Sequence, residues 1–348
     1  MLVVGAGLGG LTFAIAWQRA GGTATVVERA RTNVAGAGGI GLHPNAQAVL
    51  HHLGLRDRAR GFATEIRLYA DAWGAPTWAV HRADLIQLLT EELANDTVSF
   101  GMSPVQMALS GDRVTVTFNN GSEDRYDVVI GADGVRSATR RLLFHDRAQT
   151  FGGACFWRTT LSRQVVDDVS RLSLRDGYMG LMPLVGGRTH VFVQVLTPVP
   201  FADPESGRVE RLRARFGGQD PVADAVLESL SSDRDIHFGL LEWVDPPSWG
   251  IDRVVLIGDA AHAMAPTLAL GGAMAMEDGV VLAEELVVGV SVPTAISAFI
   301  QRRDPRVRFV QDRTRLAFER ARGRPTPGEP EEFVAFQRRH FGPLMSPP

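Results

Sequence analysis

Asp259 is the carboxylate that its neighbours best equip for chemistry. Val254 to Ile257 form a wholly apolar, mostly β-branched run, as in a parallel strand buried on both faces, and Gly258-Asp259 ends it. The acid therefore projects from a strand's carboxyl end. Ligands of open α/β sheets gather in that crevice, where a carboxylate accepts hydrogen bonds from a ribose or another polyol. Beyond Pro266, Gly271 and Gly272 open a helix with Ala275, Gly279, Leu282 and Leu286 on one face and Glu277 and Glu284 on the other. A helix amino terminus carries roughly half a positive charge and free N–H donors, and glycine lets an anion or carbonyl come close. A ring that turns anionic on reduction suits that position.

A second constellation lies at the start of the chain. Leu2 to Val4 read as a strand, Gly5-Ala6-Gly7-Leu8-Gly9-Gly10 as a turn, and the following residues as a helix to about Ala20. In this context Gly5 permits the tight turn, Gly7 lets the backbone approach a pyrophosphate, and Gly10 allows close helix–strand packing. A strand from Thr23 to Val27 ends in Glu28-Arg29, about 20 residues on, where an acid binds a ribose 2′-OH and repels a 2′-phosphate. The adenosine half then belongs to FAD or NAD. A third apolar run, Asp127 to Ile130, reads as the return strand of a hairpin turned at Asn119 to Ser122, and ends in Gly131-Ala132-Asp133-Gly134. Three strands thus break at glycine with a small or acidic residue, which predicts one sheet whose carboxyl ends line one crevice.

Together these residues resemble the single-component flavin-dependent aromatic hydroxylases, the family of p-hydroxybenzoate and salicylate hydroxylases. The resemblance runs through GDAAH (258–262), Pro266, Gly271, Glu277-Asp278, GIGLHPNA (39–46), His81-Arg82 with Leu85, and Asp133-Gly134, and spans residues 2 to about 320. It implies noncovalent FAD held at Gly5, Gly7, Leu8, Gly9, Gly10, Glu28, Arg29, Gly41, Leu42, Arg82, Asp133, Gly258, Asp259, Pro266, Gly271, Gly272 and Ala273. It also implies a reaction in which NADH or NADPH reduces FAD, dioxygen adds to give a flavin C4a-hydroperoxide, and one oxygen passes to a phenolic or other aromatic small molecule. Ala269, Leu270 and Ala273 depart from the family's usual Gly, Gln and Asn. His43 would face the ring or the substrate and could draw a proton from a phenol; a packing histidine beside the proline turn is the alternative. Arg82 could fork onto a phosphate or make a surface ion pair. Arg158, Tyr178 and His190 are substrate-pocket candidates in the antiparallel lobe, against strand pairing as their bland role.

The elements that must position these residues divide as follows. Residues 1–65, 81–149 and 250–324 read as a Rossmann-type FAD-binding domain, 66–80 and 150–249 as an inserted antiparallel substrate lobe, and 325–348 as a tail, an α/β fold with a C-terminal helical segment. All 36 basic residues are arginine, so Schiff-base chemistry and a phosphate-binding Walker lysine are excluded. The net charge of −3 calls for neither nucleic acid nor an anionic membrane, apolar runs fall short of a span, and the arginines of 302–322 alternate with Asp304, Asp312 and Glu319 as on a solvated packing helix. One cysteine, Cys155, fits a reducing, cytoplasmic setting, and no metal-ligand spacing occurs. Two further readings stand beside the monooxygenase: a flavin oxidoreductase that does not insert oxygen, and a flavin-binding protein with impaired turnover.

Overall fold

The structure is a computed structural model describing residues 1–32, 38–67, 74–144, 149–246 and 248–323. The C-terminal tail, Trp73 and part of the 36–41 glycine loop lie outside them. The principal sheet contains β1 (Leu2–Val4), β2 (Thr25–Glu28), β6 (Val98–Phe100), β10 (Val129–Gly131) and β17 (Val254–Leu256), all parallel, with β16 (Gly250–Ile251) antiparallel at one edge. Its order, β16-β17-β10-β1-β2-β6, puts the three glycine-terminated strands side by side. Their side chains are buried on both faces, which explains runs without polar alternation.

The hairpin expectation needs correction. β7 (Pro104–Ser110), β8 (Arg113–Phe118) and β9 (Glu123–Tyr126) form their own antiparallel sheet, and β9 is the return strand. Residues 129–131 instead leave the hairpin for the parallel sheet, because an apolar run suits a doubly covered strand whereas Glu-Asp-Arg-Tyr suits a half-exposed one. Met107, Val114, Val116 and Phe118 then pack on Leu2, Val4, Val129 and Val254.

On the other face of the parallel sheet lies α1 (Leu8–Arg19), against the helix at Gly271–Val288. A Cβ on Gly279 would come 2.7 Å from the Phe13 amide nitrogen and 2.8 Å from the Gly9 carbonyl oxygen, so glycine sets the approach of the two helices. The remaining helices are α2 (Pro44–His52), α3 (Arg56–Arg60), α4 (Arg82–Glu91), α5 (Ala138–Leu143), α6 (Arg208–Phe216), α7 (Pro221–Glu228) and α8 (Asp259–His262), so that Gly271–Val288 is α9 and Val292–Ala321 is α10. α10 contains Pro305 and runs through it. Among the described residues no helix is long and apolar enough to cross a membrane.

The second large sheet is antiparallel, in the order β12 (Ser170–Leu174), β13 (Gly177–Leu184), β14 (Arg188–Leu196), β11 (Gln149–Leu161), β15 (His237–Val244). Alternation sorts its faces. Cys155, Trp157, Met179, Leu181, Val191, Val193 and Val195 pack beneath α6 and α7. The intervening residues face the first lobe. A small sheet of β3 (Gly39–Leu42), β5 (Thr77–His81) and β4 (Thr64–Ile66) joins the two, with Ile66 and Ala79 packed on Met182 and Leu184.

Candidate active site

The turn after β1 is built of backbone. Gly5 has φ +109°, and a Cβ there would lie 2.4 Å from the Ala132 carbonyl oxygen; a Cβ on Gly10 would lie 2.2 Å from the Gly5 oxygen. A Cβ on Gly7 would meet nothing within 4 Å, so this side of the turn is open. The Glu28 carboxylate is held against it, accepting from the Ala6 amide (3.0 Å) and the Ala30 amide (2.9 Å), with Arg29 exposed beside it. Leu8 and Gly9 start α1, and Leu8 turns its side chain into the core.

Asp259, Arg82 and Arg158 meet at the far end of the crevice. Asp259 is exposed, and Gly271 approaches to the point where its Cβ would lie 3.8 Å from the Asp259 Oδ1. Burial lowers the pKa of the Arg82 guanidinium, Asp259 opposes that, and the Arg82 side chain makes no hydrogen bond among the described residues. An open glycine turn, an exposed carboxylate at a strand end and a half-buried guanidinium along one crevice suit an adenine dinucleotide. Gly258 (φ +59°) makes the sharp strand-to-helix turn that aims Asp259, Pro266 is exposed at the start of a 3-10 turn, and Gly41 and Leu42 are buried in β3.

Two expectations are revised here. The Asp133 side chain accepts from the Ser137 hydroxyl (2.5 Å), the Thr139 amide (3.0 Å) and the Thr139 hydroxyl (3.1 Å), so its carboxylate braces the start of α5 rather than offering itself to a cofactor. His43 is buried, with Nδ1 2.8 Å from the Thr77 hydroxyl and Nε2 3.2 Å from the Leu268 carbonyl. A carbonyl only accepts, so Nε2 carries the proton and Nδ1 accepts from Thr77; neither nitrogen is left for a phenol. Burial lowers its pKa to about 4, against a small opposing contribution from Leu268. It braces the loop from within.

That loop is apolar. Leu270 and Ala273 are buried in the core beside Leu268 and Met274, and Ala269 sits in the left-handed region at φ +53°. Beneath it lies a buried ionic network. Arg303 donates to Asp278 Oδ1 (2.7 Å), Glu277 Oε2 (2.6 Å) and the Met274 carbonyl (3.3 Å); Arg306 and Asn45 also reach Glu277. Asp278 Oδ2 accepts from the Gly258 amide (2.9 Å) and lies 2.6 Å from His262 Nε2. Burial pushes both carboxyls up, but these cations and donors outweigh it and hold both pKa values below the usual range. No local spacing in the sequence betrays this network, whose members lie up to 261 residues apart (Asn45 to Arg306).

The inward face of the antiparallel sheet completes the site. Register pairs Phe156 with Gln194 and Gly239, Arg158 with Phe192 and His237, Thr160 with His190, and Tyr178 with Gln194. One end of this face is closed by Gly38 and Gly39, whose Cβ positions crowd His190 and Met182; the other by Ala154 and Leu241, packed on Ala265 and Phe318. Between them Phe156, Arg158, Tyr178 and Phe192 remain half-buried, with Phe156 and Phe192 stacked at 5.6 Å and Tyr178 6.0 Å from Phe192. The three pocket candidates thus share one face, although His190 lies at its closed end, Nδ1 donating to the Thr159 carbonyl and burial lowering its pKa to about 4. Phe156, Phe192 and Gln194 were missed; reading every second residue of β11 and β14 would have found them.

A family model described as an FAD binding domain matches residues 1–314. The 3-amino-4-hydroxybenzoate 2-monooxygenase of Streptomyces cremeus is 35% identical over 344 residues, covering 91% of this chain and 86% of that one. Among solved structures, HpxO of Klebsiella pneumoniae complexed with FAD and uric acid superposes with a TM-score of 0.83 at 24% identity, covering 99% of this chain and 92% of that one. A salicylate hydroxylase substrate complex gives a TM-score of 0.77 at 22% identity, covering 100% and 98%.

Proposed function

The chain belongs to the FAD-binding domain family of flavin-dependent monooxygenases, and from that premise we propose that it hydroxylates a small aromatic compound, with NADH or NADPH as reductant and FAD held noncovalently. The observation that carries this reading is the opposition of two surfaces: a crevice of glycine turns ending at Asp259, and an aromatic sheet face of Phe156, Tyr178 and Phe192 beyond it. Bound FAD supplies the activation of dioxygen. The protein's task is to hold, orient and keep dry.

Gly5, Gly7, Leu8, Gly9 and Gly10 present α1's amino terminus to the pyrophosphate, Glu28 and Arg29 hold the adenosine ribose, and Arg82 reaches the phosphates. Asp259 accepts from the ribityl hydroxyls, Gly41, Leu42 and Pro266 border the ring, and Gly271, Gly272 and Ala273 bring backbone N–H groups to the ring's polar edge, where the dipole of α9 favours negative charge. The substrate ring lies against the antiparallel lobe, so the two lobes divide cofactor and substrate between them. The lone Cys155 is buried and unpaired, which suits a reducing compartment such as the cytoplasm. The test is oxygen incorporation: purified protein with FAD, reductant, labelled dioxygen and a panel of hydroxylated aromatics should yield labelled product. Reductant consumption with peroxide as the sole oxygen product across the panel would overturn the reading.

A further inference from the structure

A second opening in the antiparallel lobe lies beside the end of α7. β15 begins at His237, opposite Arg158, whereas β11 runs on to Leu161 with only β14 beside it. Where a pairing strand could have continued, the chain forms a 3-10 turn at Asp233–Asp235. That turn is tied to the start of α6 instead, because Asp233 accepts from the Gly207 amide (2.7 Å) and the Val209 amide (2.8 Å). The gap that results is a cavity of about 290 Å³, walled by the end of β11 on one side and by Ser229–Ser232 with Asp235 on the other.

The polar groups of this cavity lack protein partners. Thr159 is only 5% exposed and lines both the cavity and the apolar core behind it, yet among the described residues its hydroxyl makes no hydrogen bond. The adjacent Thr160 Oγ1 is shielded from solvent and also unpartnered. Buried hydroxyls are nearly always satisfied, so two in succession on one wall mark the place of a molecule that is not protein. The rim adds one charge of each sign. Arg163 donates to the Ala225 carbonyl (2.7 Å), which Ser229 Oγ also reaches (2.7 Å), and among the described residues it meets no carboxylate. Asp235, on the opposite wall, meets no cation among them. The remaining guanidinium N–H groups suit a carboxylate, Asp235 suits an ammonium, and the hydroxyls serve either. A lone anion would face Asp235 unmet, and a lone cation Arg163. At ~30 Å³ per water the cavity takes a ligand of about ten non-hydrogen atoms.

From this juxtaposition we propose that the cavity is a binding site for a zwitterion the size of a free amino acid, separate from the aromatic face. Arg163 holds the carboxylate, Asp235 the ammonium, and Thr159 offers its hydroxyl from the floor.

The test is calorimetry on the FAD-loaded protein with each common L-amino acid in turn, then with the amide and the N-acetyl derivative of the tightest binder, and with inorganic phosphate. The amide lacks the negative charge and the N-acetyl derivative the positive one, so each should bind about 5-fold more weakly than the parent amino acid, as exposed charge pairs allow. Arg163→Gln should weaken the amino acid about 5-fold and leave its amide unaffected; Asp235→Asn should weaken it equally and leave the N-acetyl derivative unaffected. Both side chains are exposed, so both variants should keep FAD with an unchanged visible spectrum. Binding by no amino acid, equal binding of the zwitterion and both derivatives, or tighter binding of phosphate would each overturn the proposal. So would a preference that survives both charge variants, by placing the amino acid elsewhere.

Discussion

The turn after β1 and the inward face of the antiparallel sheet sit at opposite ends of the same crevice and are built on opposite terms. At the turn, glycine permits backbone approach and Glu28 is already engaged by two amides. On the sheet, side chains project with their polar atoms unpartnered. Backbone recognition demands a given residue type at a given step, because a Cβ would collide; side-chain recognition demands only that a residue point the right way. The first therefore leaves a spelling in the sequence and the second leaves only a parity.

The comparison breaks most sharply at Gly10. Gly10→Val should destabilise the protein by about 3 kcal/mol and abolish FAD retention, since its first carbon already overlaps the Gly5 oxygen. A variant that stays yellow after gel filtration with unchanged Tm would mean that the turn is not geometrically constrained. Asp259→Ala should weaken FAD by about 1.5–3 kcal/mol, read by flavin fluorescence titration, because an exposed charged acceptor is lost without disturbing the turn. Unchanged affinity would remove Asp259 from the cofactor.

The buried histidines sharpen the contrast through pH. His43 and His190 are each lowered from 6.5 to about 4, so the unfolded chain binds more protons than the folded one between those values. Stability is then fully present above pH 6.5 and falls as pH drops toward 4, by up to about 3 kcal/mol per histidine. Denaturant unfolding of the parent and of His43→Gln across this window tests it; equal slopes would put a charged His43 in the folded state. The smallest effect belongs to Ala269. A left-handed alanine costs about 1–2 kcal/mol, and the extra freedom of unfolded glycine returns part of the gain, so Ala269→Gly should stabilise by up to about 1 kcal/mol. A lower Tm would show that the loop gains rigidity from alanine.

The same contrast explains what could be read in advance. The strands ending at Gly5, Gly131 and Gly258, their shared sheet and the helix at Gly271 were all legible, because each carries a local constraint. The 129–131 strand was placed in the right sheet but also given to the hairpin, since its run of valines pairs equally well with either neighbour until tertiary cover decides. His43 was legible both as a proton acceptor and as a packing histidine, and local sequence could not choose between them because Thr77 and Leu268 reach it from 34 and 225 residues away. Asp133 looked like a ligand because a loop acid has the same letter whether it faces a cofactor or caps a helix.

The ionic network beneath the 266–273 loop carries a consequence for how the molecule is made. Glu277 and Asp278 are buried carboxylates whose arginine partners, Arg303 and Arg306, lie on the next helix. β1 likewise waits for β10, and β10 for β17, across some 250 residues of chain. A ribosome-bound chain that has exposed everything through α9 but not yet α10 holds two acids that cannot enter the core, so the loop over them cannot settle. Cofactor capture therefore belongs to the end of synthesis, and a chain stalled between Asp278 and Arg303 should remain colourless, open and dependent on chaperones.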